Sequence, residues 1–150
     1  RRISSAASDV YKRQLSDFDG LAIFYLDGDL GTGKTTLVRE ILKALGWKGA
    51  VKSPTFSILE EYQVADKEIF HSDLYRLDNQ NDFGMLGIEI TENSKGIFFI
   101  EWPNKISKFN FGDEFYLTLS LANQIRHIEF ETNNKKFLNC IDGININNPS

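Results

Sequence analysis

The octapeptide Gly28-Asp29-Leu30-Gly31-Thr32-Gly33-Lys34-Thr35 constrains this chain more than any other feature. It matches G-x-x-x-x-G-K-[ST], and a chance match is expected in fewer than about one in a hundred chains of this length. The residues before it, Leu21 to Asp27, form a short apolar run that reads as a central strand. After it, Leu37, Val38, Ile41, Leu42 and Leu45 recur at helical spacing opposite Arg39, Glu40 and Lys43. Gly46 closes that helix, which spans Lys34 to Leu45.

Strand, glycine loop and helix together make a phosphate cradle. Glycines let successive backbone N–H groups turn inward around a β-phosphate, while the helix presents its positive end to the same anion. In that layout Lys34 reaches the β- and γ-phosphates and the Thr35 hydroxyl ligates Mg²⁺. The candidate nucleotide-binding residues are therefore Gly28, Asp29, Leu30, Gly31, Thr32, Gly33, Lys34, Thr35 and Thr36. The ligands this implies are a nucleoside triphosphate and Mg²⁺, and the family resemblance given below makes that nucleotide ATP.

A cradle alone binds nucleotide without deciding what happens to it; hydrolysis needs a carboxylate near the metal or the attacking water. The carboxyl ends of strands line the ligand crevice of an open sheet, so strand-terminal acids are the candidates. Asp73 ends "IFHSD" and Glu101 ends "GIFFIE", an apolar run that reads as a strand buried on both faces. If that strand lies parallel to Leu21–Leu26, Glu101 sits beside the cradle, placed to serve the metal and to orient or deprotonate water. The competing reading is a merely solvated strand-end Glu. Catalytic candidates are thus Glu101, Asp73 and Lys34, and metal candidates Thr35, Glu101 and Asp73. Thr55 in "SPTF" lies where switch loops sense γ-phosphate, although Pro54 could equally make a plain rigid turn. Trp102 is either a core anchor or a platform for an aromatic ring. His71 reads as a satisfied, half-buried strand residue, and Arg76 as a phosphate contact or a surface ion-pair partner.

The remaining pattern is mixed. Phe56, Ile58, Glu60, Tyr62 and Val64 alternate with polar neighbours, and "ADKE" turns the chain into "IFHSDLY", an antiparallel hairpin. Asn79 to Leu86 suits a short helix ending near Gly87. "FYLTLSLA" and "RHIEFE" alternate as a second antiparallel pair. The fold class expected is α/β: a P-loop NTPase with one mixed sheet, a parallel core, antiparallel strands and helices packed on the faces.

Ser4 to Gln14, "SSAASDVYKRQ", resembles the conceptual translation of a transposon adapter used in sequencing libraries, running into native sequence at about Leu15. The domain reading is a disordered adapter-derived scar over 1–14, a P-loop ATPase domain over 15–133 and a polar, frayed tail over 134–150. Apolar residues make up 41% and charged residues 25%, as in ordinary globular chains. No run approaches the roughly 18 apolar residues of a membrane span. A lone Cys140 has no disulfide partner within the chain, which suits a reducing cytoplasm. The net charge of -4 argues against a protein that coats nucleic acid unaided.

Taken in order, "GDLGTGKTTLVR", "KSPTF", "FHSDLYRL", "LGIEI" and "FFIEWPNKI" resemble the TsaE (YjeE-like) family of bacterial P-loop ATPases. The resemblance is close over Ala22 to Ile106 and looser over the last strand pair with Arg126. It implies an ATPase that works with TsaB and TsaD in making threonylcarbamoyladenosine at position 37 of tRNAs reading ANN codons, touching tRNA only through the complex. It also carries roles onto Lys34 and Thr35 in the cradle, Thr55 in the switch loop, Asp73, and Glu101 with Trp102. Two departures stand out: the family's strand and helix ahead of the cradle are largely replaced by the scar, and Thr32 stands where Ala is commoner.

A small P-loop kinase is one rival, but Arg39, Arg76 and Arg126 are widely separated in sequence and form no clustered cationic lid. A GTPase would need D-x-x-G after the cradle and an Asp to read guanine, and neither is found. A nucleotide-sensing module that hydrolyses nothing is the third. With no obvious cis arginine finger, the expectation is a weak, partner-dependent ATPase.

Overall fold

The structure, a computed structural model, describes residues 18–135. The expected adapter-derived segment, Cys140 and the tail beyond Lys135 lie outside the described residues. Strand β1 (Leu21–Asp27) leads through the glycine loop to helix α1 (Lys34–Leu45). A hairpin of β2 (Leu59–Val64) and β3 (Lys67–Asp73) follows, then the short helix α2 (Gln80–Gly84) and β4 (Gly96–Glu101). A 3₁₀ turn (Pro103–Lys105) precedes the closing hairpin of β5 (Asp113–Ala122) and β6 (Ile125–Thr132).

All six strands form one sheet in the order β2-β3-β4-β1-β5-β6. The inner four, β3, β4, β1 and β5, run parallel, and the two edge strands are antiparallel to their neighbours. This is a mixed α/β sheet with a parallel core. Parallel strands need both faces covered, and β1 accordingly is buried from Leu21 to Leu26.

Alternation sends Ala22, Phe24 and Leu26 to one face, where Leu37, Val38 and Leu42 of α1 cover them together with Ile97, Phe99, Phe115, Leu117 and Leu119. Phe24 stacks on Phe115 at 4.5 Å and meets Phe99 at 5.0 Å, so the packing registers three parallel strands at once. Each such side chain contributes about 1.5–3 kcal/mol by leaving water. α1 ends where Gly46 adopts φ 114, which lets Trp47 N–H reach the Leu42 carbonyl at 2.9 Å.

The other face carries Leu21, Ile23, Tyr25, Phe98 and Ile100. Among the described residues, α2 and aperiodic segments cover it, through Leu74, Leu77, Phe83, Phe109 and Phe111. α2 is shorter than the expected Asn79–Leu86. Asn79 caps it, accepting from Asn81 N–H, while Asp82 reaches back to Asn79 N–H, and the chain leaves the helix at Met85.

The expected strand from Phe56 begins only at Leu59. Ile58 adopts φ 67, and its N–H bonds the Pro54 carbonyl at 2.7 Å, so Pro54–Ile58 is a turn and Phe56 is 83% exposed. The β5–β6 link is a two-residue turn with positive φ at both Asn123 and Gln124, the conformation whose twist matches the flanking strands. Among the described residues, no helix is long and apolar enough to cross a membrane.

Candidate functional site

Because β1, β4, β3 and β5 are parallel, their carboxyl ends gather at one edge, and the glycine loop leaves β1 there. The row of side chains facing α1 changes character at that edge. On β4 it reads Ile97, Phe99, Glu101, and on β3 Ile69, His71, Asp73, with Asp73 paired directly to Glu101. Apolar residues thus anchor each strand in the core, and the last one or two positions deliver polar groups to the loop.

The loop itself is tightly set. A Cβ on Gly28 would lie 2.4 Å from the Leu119 carbonyl oxygen of β5, so only glycine lets β1 turn there. Gly33 (φ 94) opens α1, its carbonyl accepting from Leu37 N–H at 2.9 Å. Thr32 is buried, and its hydroxyl donates to the Asp29 carbonyl at 2.8 Å inside the loop. Asp29 and Gly31 are exposed, as is Leu30 at 69%. Thr36, the third residue of α1, is partly buried.

Lys34 is buried and folds back over the loop, Nζ donating to the Gly28 carbonyl and, at 3.0 Å, to that of Asp29. Burial lowers its pKa, and the carboxylates of Glu101, Asp73, Asp27 and Asp29 oppose that shift. Nζ also lies 4.4 Å from the centre of the Trp102 ring, which in turn meets Tyr75 at 5.0 Å. Trp102 is therefore a lid on the lysine as well as a partly buried packing residue.

Glu101 is only 3% exposed, which removes the solvated reading. Its Oε1 accepts from Thr35 Oγ1 at 2.8 Å and lies 2.7 Å from His71 Nε2. A carboxylate oxygen accepts, so Nε2 carries the proton; Nδ1 is buried with no hydrogen-bond partner among the described residues. Asp73, 5% exposed, accepts from Thr55 Oγ1 at 3.1 Å through Oδ2 and from Tyr75 N–H at 3.0 Å through Oδ1. The SPTF segment is thus a turn, and its hydroxyl points to the second carboxylate; Ser53 Oγ lies 2.8 Å from Thr55 Oγ1.

The fold therefore brings Lys34, Thr35, Thr55, Asp73, Glu101 and Trp102 to one edge. It sets Arg76 apart, its guanidinium 5.1 Å from the exposed Phe56 ring. Two residues were missed as members of the site. His71 is fully buried against Glu101, and its position two residues before Asp73, on the same strand face, was the available signal. Arg126, far away in sequence, packs on the cradle: a Cβ on Gly33 would lie 2.5 Å from its Nη2 and 2.6 Å from its Cζ. The signal there was an arginine in the same alternating row as Ile128 and Phe130 of β6.

Among the described residues, no three His, Cys, Asp or Glu side chains gather to cage a metal. The donor set instead suits Mg²⁺, which keeps several waters and takes one or two protein oxygens beside phosphate. Thr35 Oγ1 and Glu101 Oε1, already hydrogen-bonded at the loop, are oxygens of that kind.

Comparison with known proteins agrees with this geometry. The crystal structure of Bacillus subtilis YdiB superposes with a TM-score of 0.61 over 95% of this chain and 89% of that one at 18% identity, which establishes the P-loop NTPase fold. The tRNA threonylcarbamoyladenosine biosynthesis protein TsaE of Haemophilus influenzae is 49% identical over 81 residues, 54% of this chain and 51% of that protein. The protein of the same name from Synechocystis is 36% identical over 104 residues, 67% and 66% of the two chains. The matched region spans about half the length of the first of these relatives. The family model described as threonylcarbamoyl adenosine biosynthesis protein TsaE matches residues 3–135, and the chain belongs to that family.

Proposed function

We propose that the chain binds Mg²⁺-ATP in the loop Gly28–Thr35 and hydrolyses it slowly, as the ATPase subunit that acts with TsaB and TsaD in threonylcarbamoyladenosine synthesis on tRNA in the cytoplasm. The observation that carries this reading is the convergence of a buried Glu101 on Thr35 at 2.8 Å, at the mouth of the glycine loop. Bound Mg²⁺ would be held by Thr35, with Glu101 and Asp73 beside it, and would supply charge neutralisation between the phosphates.

The chain's own groups account for the rest. Lys34 exchanges its two loop carbonyls for phosphate oxygens, a favourable trade for a buried ammonium whose protonation is opposed by burial. The loop N–H groups hold the β-phosphate. Glu101, fixed at Oε1 by two donors, orients a water with its remaining lone pairs for attack on the γ-phosphorus and accepts a proton as ADP leaves. Thr55 and Asp73 form a linked pair through which γ-phosphate can shift the SPTF turn.

The test is reconstitution of tRNA modification with TsaB and TsaD, with and without this protein and Mg²⁺-ATP. Modification that needs both supports the proposal, and modification indifferent to this chain refutes it. Turnover of the isolated chain on the order of 10 per second or faster would contradict slow, partner-dependent hydrolysis.

A further inference from the structure

We infer that the Thr32 side chain is a positioning residue of the nucleotide site: its hydroxyl holds the Asp29 carbonyl when Lys34 leaves that carbonyl for phosphate, and so helps to set how tightly the loop binds a polyphosphate. The inference rests on the nucleotide reading above and deepens it, because the motif G-x-x-x-x-G-K-[ST] leaves position 32 open.

Three donors meet at the Asp29 carbonyl. Thr32 Oγ1 donates to it at 2.8 Å, Lys34 Nζ at 3.0 Å and Thr32 N–H at 3.3 Å. A carbonyl oxygen has two lone pairs, so three donors crowd one acceptor and the loss of any one is largely made good by the other two. Thr32 and Lys34 are each 5% exposed, so both side chains reach the carbonyl from the buried side of the loop.

The hydroxyl is also fixed in place. A Cβ on Gly28 would lie 2.8 Å from Thr32 Oγ1, so the glycine that lets β1 turn also leaves the space the hydroxyl fills. The branched Thr32 side chain has few χ1 choices, and its Oγ1 is wedged between the Gly28 backbone and the Asp29 carbonyl.

Occupancy of the loop changes what this bond is worth. In the ligand-free loop the hydroxyl duplicates the ammonium. Once Lys34 turns to phosphate oxygens, two donors remain, and of these the N–H is the longer contact and belongs to a loop whose N–H groups are themselves phosphate donors. The hydroxyl is then the donor that keeps the carbonyl satisfied. An interaction stronger in the bound state than in the free one favours binding by the difference. That difference is moderate, because Asp29 is an exposed residue and water makes good part of any loss. Thr32 acts through Asp29 and Lys34, not on the reacting atoms.

The experiment measures Mg²⁺-ATP and inorganic tripolyphosphate binding by titration calorimetry for the whole chain and for Thr32→Val and Thr32→Ser, with thermal unfolding of each. Thr32→Val keeps the branched shape and removes the hydroxyl; Thr32→Ser keeps the hydroxyl. Thr32→Val should weaken both ligands about three- to tenfold, a fraction of one hydrogen bond, and Thr32→Ser should restore most of that. In steady-state hydrolysis the effect should fall on KM more than on kcat. A second arm needs no nucleotide: in a Lys34→Met background, where the carbonyl already lacks the ammonium, Thr32→Val should lower the unfolding temperature more than it does beside Lys34. Unchanged affinity in a folded Thr32→Val variant overturns the inference. So does a Thr32→Ser variant as weak as Thr32→Val, which would assign the effect to the methyl group, a loss confined to kcat, or equal thermal effects in the two backgrounds. Should Thr32→Val fail to fold, Thr32→Ala takes its place with the same expectations. If the unaltered protein binds neither ligand, the nucleotide reading itself fails, an outcome distinct from all of these.

Discussion

Glu101 and His71 meet across neighbouring parallel strands, Oε1 to Nε2 at 2.7 Å, with both side chains shut away from solvent. The same oxygen accepts from Thr35 Oγ1, so the carboxylate is clamped between the sheet and the first turn of α1. A group held this way loses little freedom on meeting its substrate, and fixed geometry is much of what a water-orienting carboxylate must supply.

Glu101→Gln tests that function. An amide oxygen can still accept from Thr35 and His71, so the pocket should fold and nucleotide affinity should stay within about threefold, while hydrolysis falls about 100-fold or more. Phosphate release under single-turnover conditions, set beside calorimetric affinity, checks it. A loss of binding instead would assign Glu101 to metal retention.

The clamp can be tested apart from the carboxylate. His71→Phe fills the ring volume and removes the donor; His71→Gln keeps an N–H on a flexible stem. Hydrolysis should drop about tenfold or more with Phe and less with Gln, with ATP affinity nearly level in both. If the Gln variant is as impaired as the Phe variant and both unfold at lower temperature, His71 serves packing alone.

How legible was this in the sequence? The loop, α1 and the buried run Gly96–Glu101 were readable because each is a local pattern: a motif, a 3.6-residue period, an apolar stretch cut off by an acid. Partnership was not readable. Whether His71 faces Glu101 depends on the register of β3 against β4, and whether Arg126 reaches Gly33 depends on β5 lying beside β1; strand alternation gives a face but no neighbour. Phe56 misled for a local reason: its alternation with Ile58 was genuine, but the left-handed Ile58 ends the strand pattern at a turn.

Lys34→Met should separate binding from folding. The Lys34 pKa is lowered, chiefly by burial, so its folded value lies below its unfolded one. Charged Lys34 therefore opposes folding at neutral pH, and this penalty fades only as pH rises through the lowered value. Removing the charge should leave ligand-free stability equal or higher. Stabilisation by Mg²⁺-ATP, about 2.7 kcal/mol at a hundred times Kd in the unaltered protein, should vanish. Thermal unfolding with and without nucleotide measures both, and a retained nucleotide shift would contradict the role given to Lys34.

A last prediction concerns the face away from the cradle. Tyr25 is buried in β1, stacks on Tyr116 at 4.8 Å, and its hydroxyl accepts from Phe109 N–H at 3.2 Å. Burial first, then the nearby Glu114, outweigh that N–H and push its pKa up from 10.0 to about 12. The folded chain thus holds this proton more tightly than the unfolded one. Its contribution is complete below pH 10 and disappears as pH climbs towards 12, a loss of about 2–3 kcal/mol. Tyr25→Phe has nothing to titrate but strands the Phe109 N–H, at a cost of about 1 kcal/mol at every pH. Denaturant unfolding across pH 8 to 12 should therefore show the variant less stable at the neutral end, with the gap closing and reversing on the alkaline limb. Parallel curves would mean that Tyr25 keeps an ordinary phenol pKa, with solvent reaching the Phe109 loop that covers it.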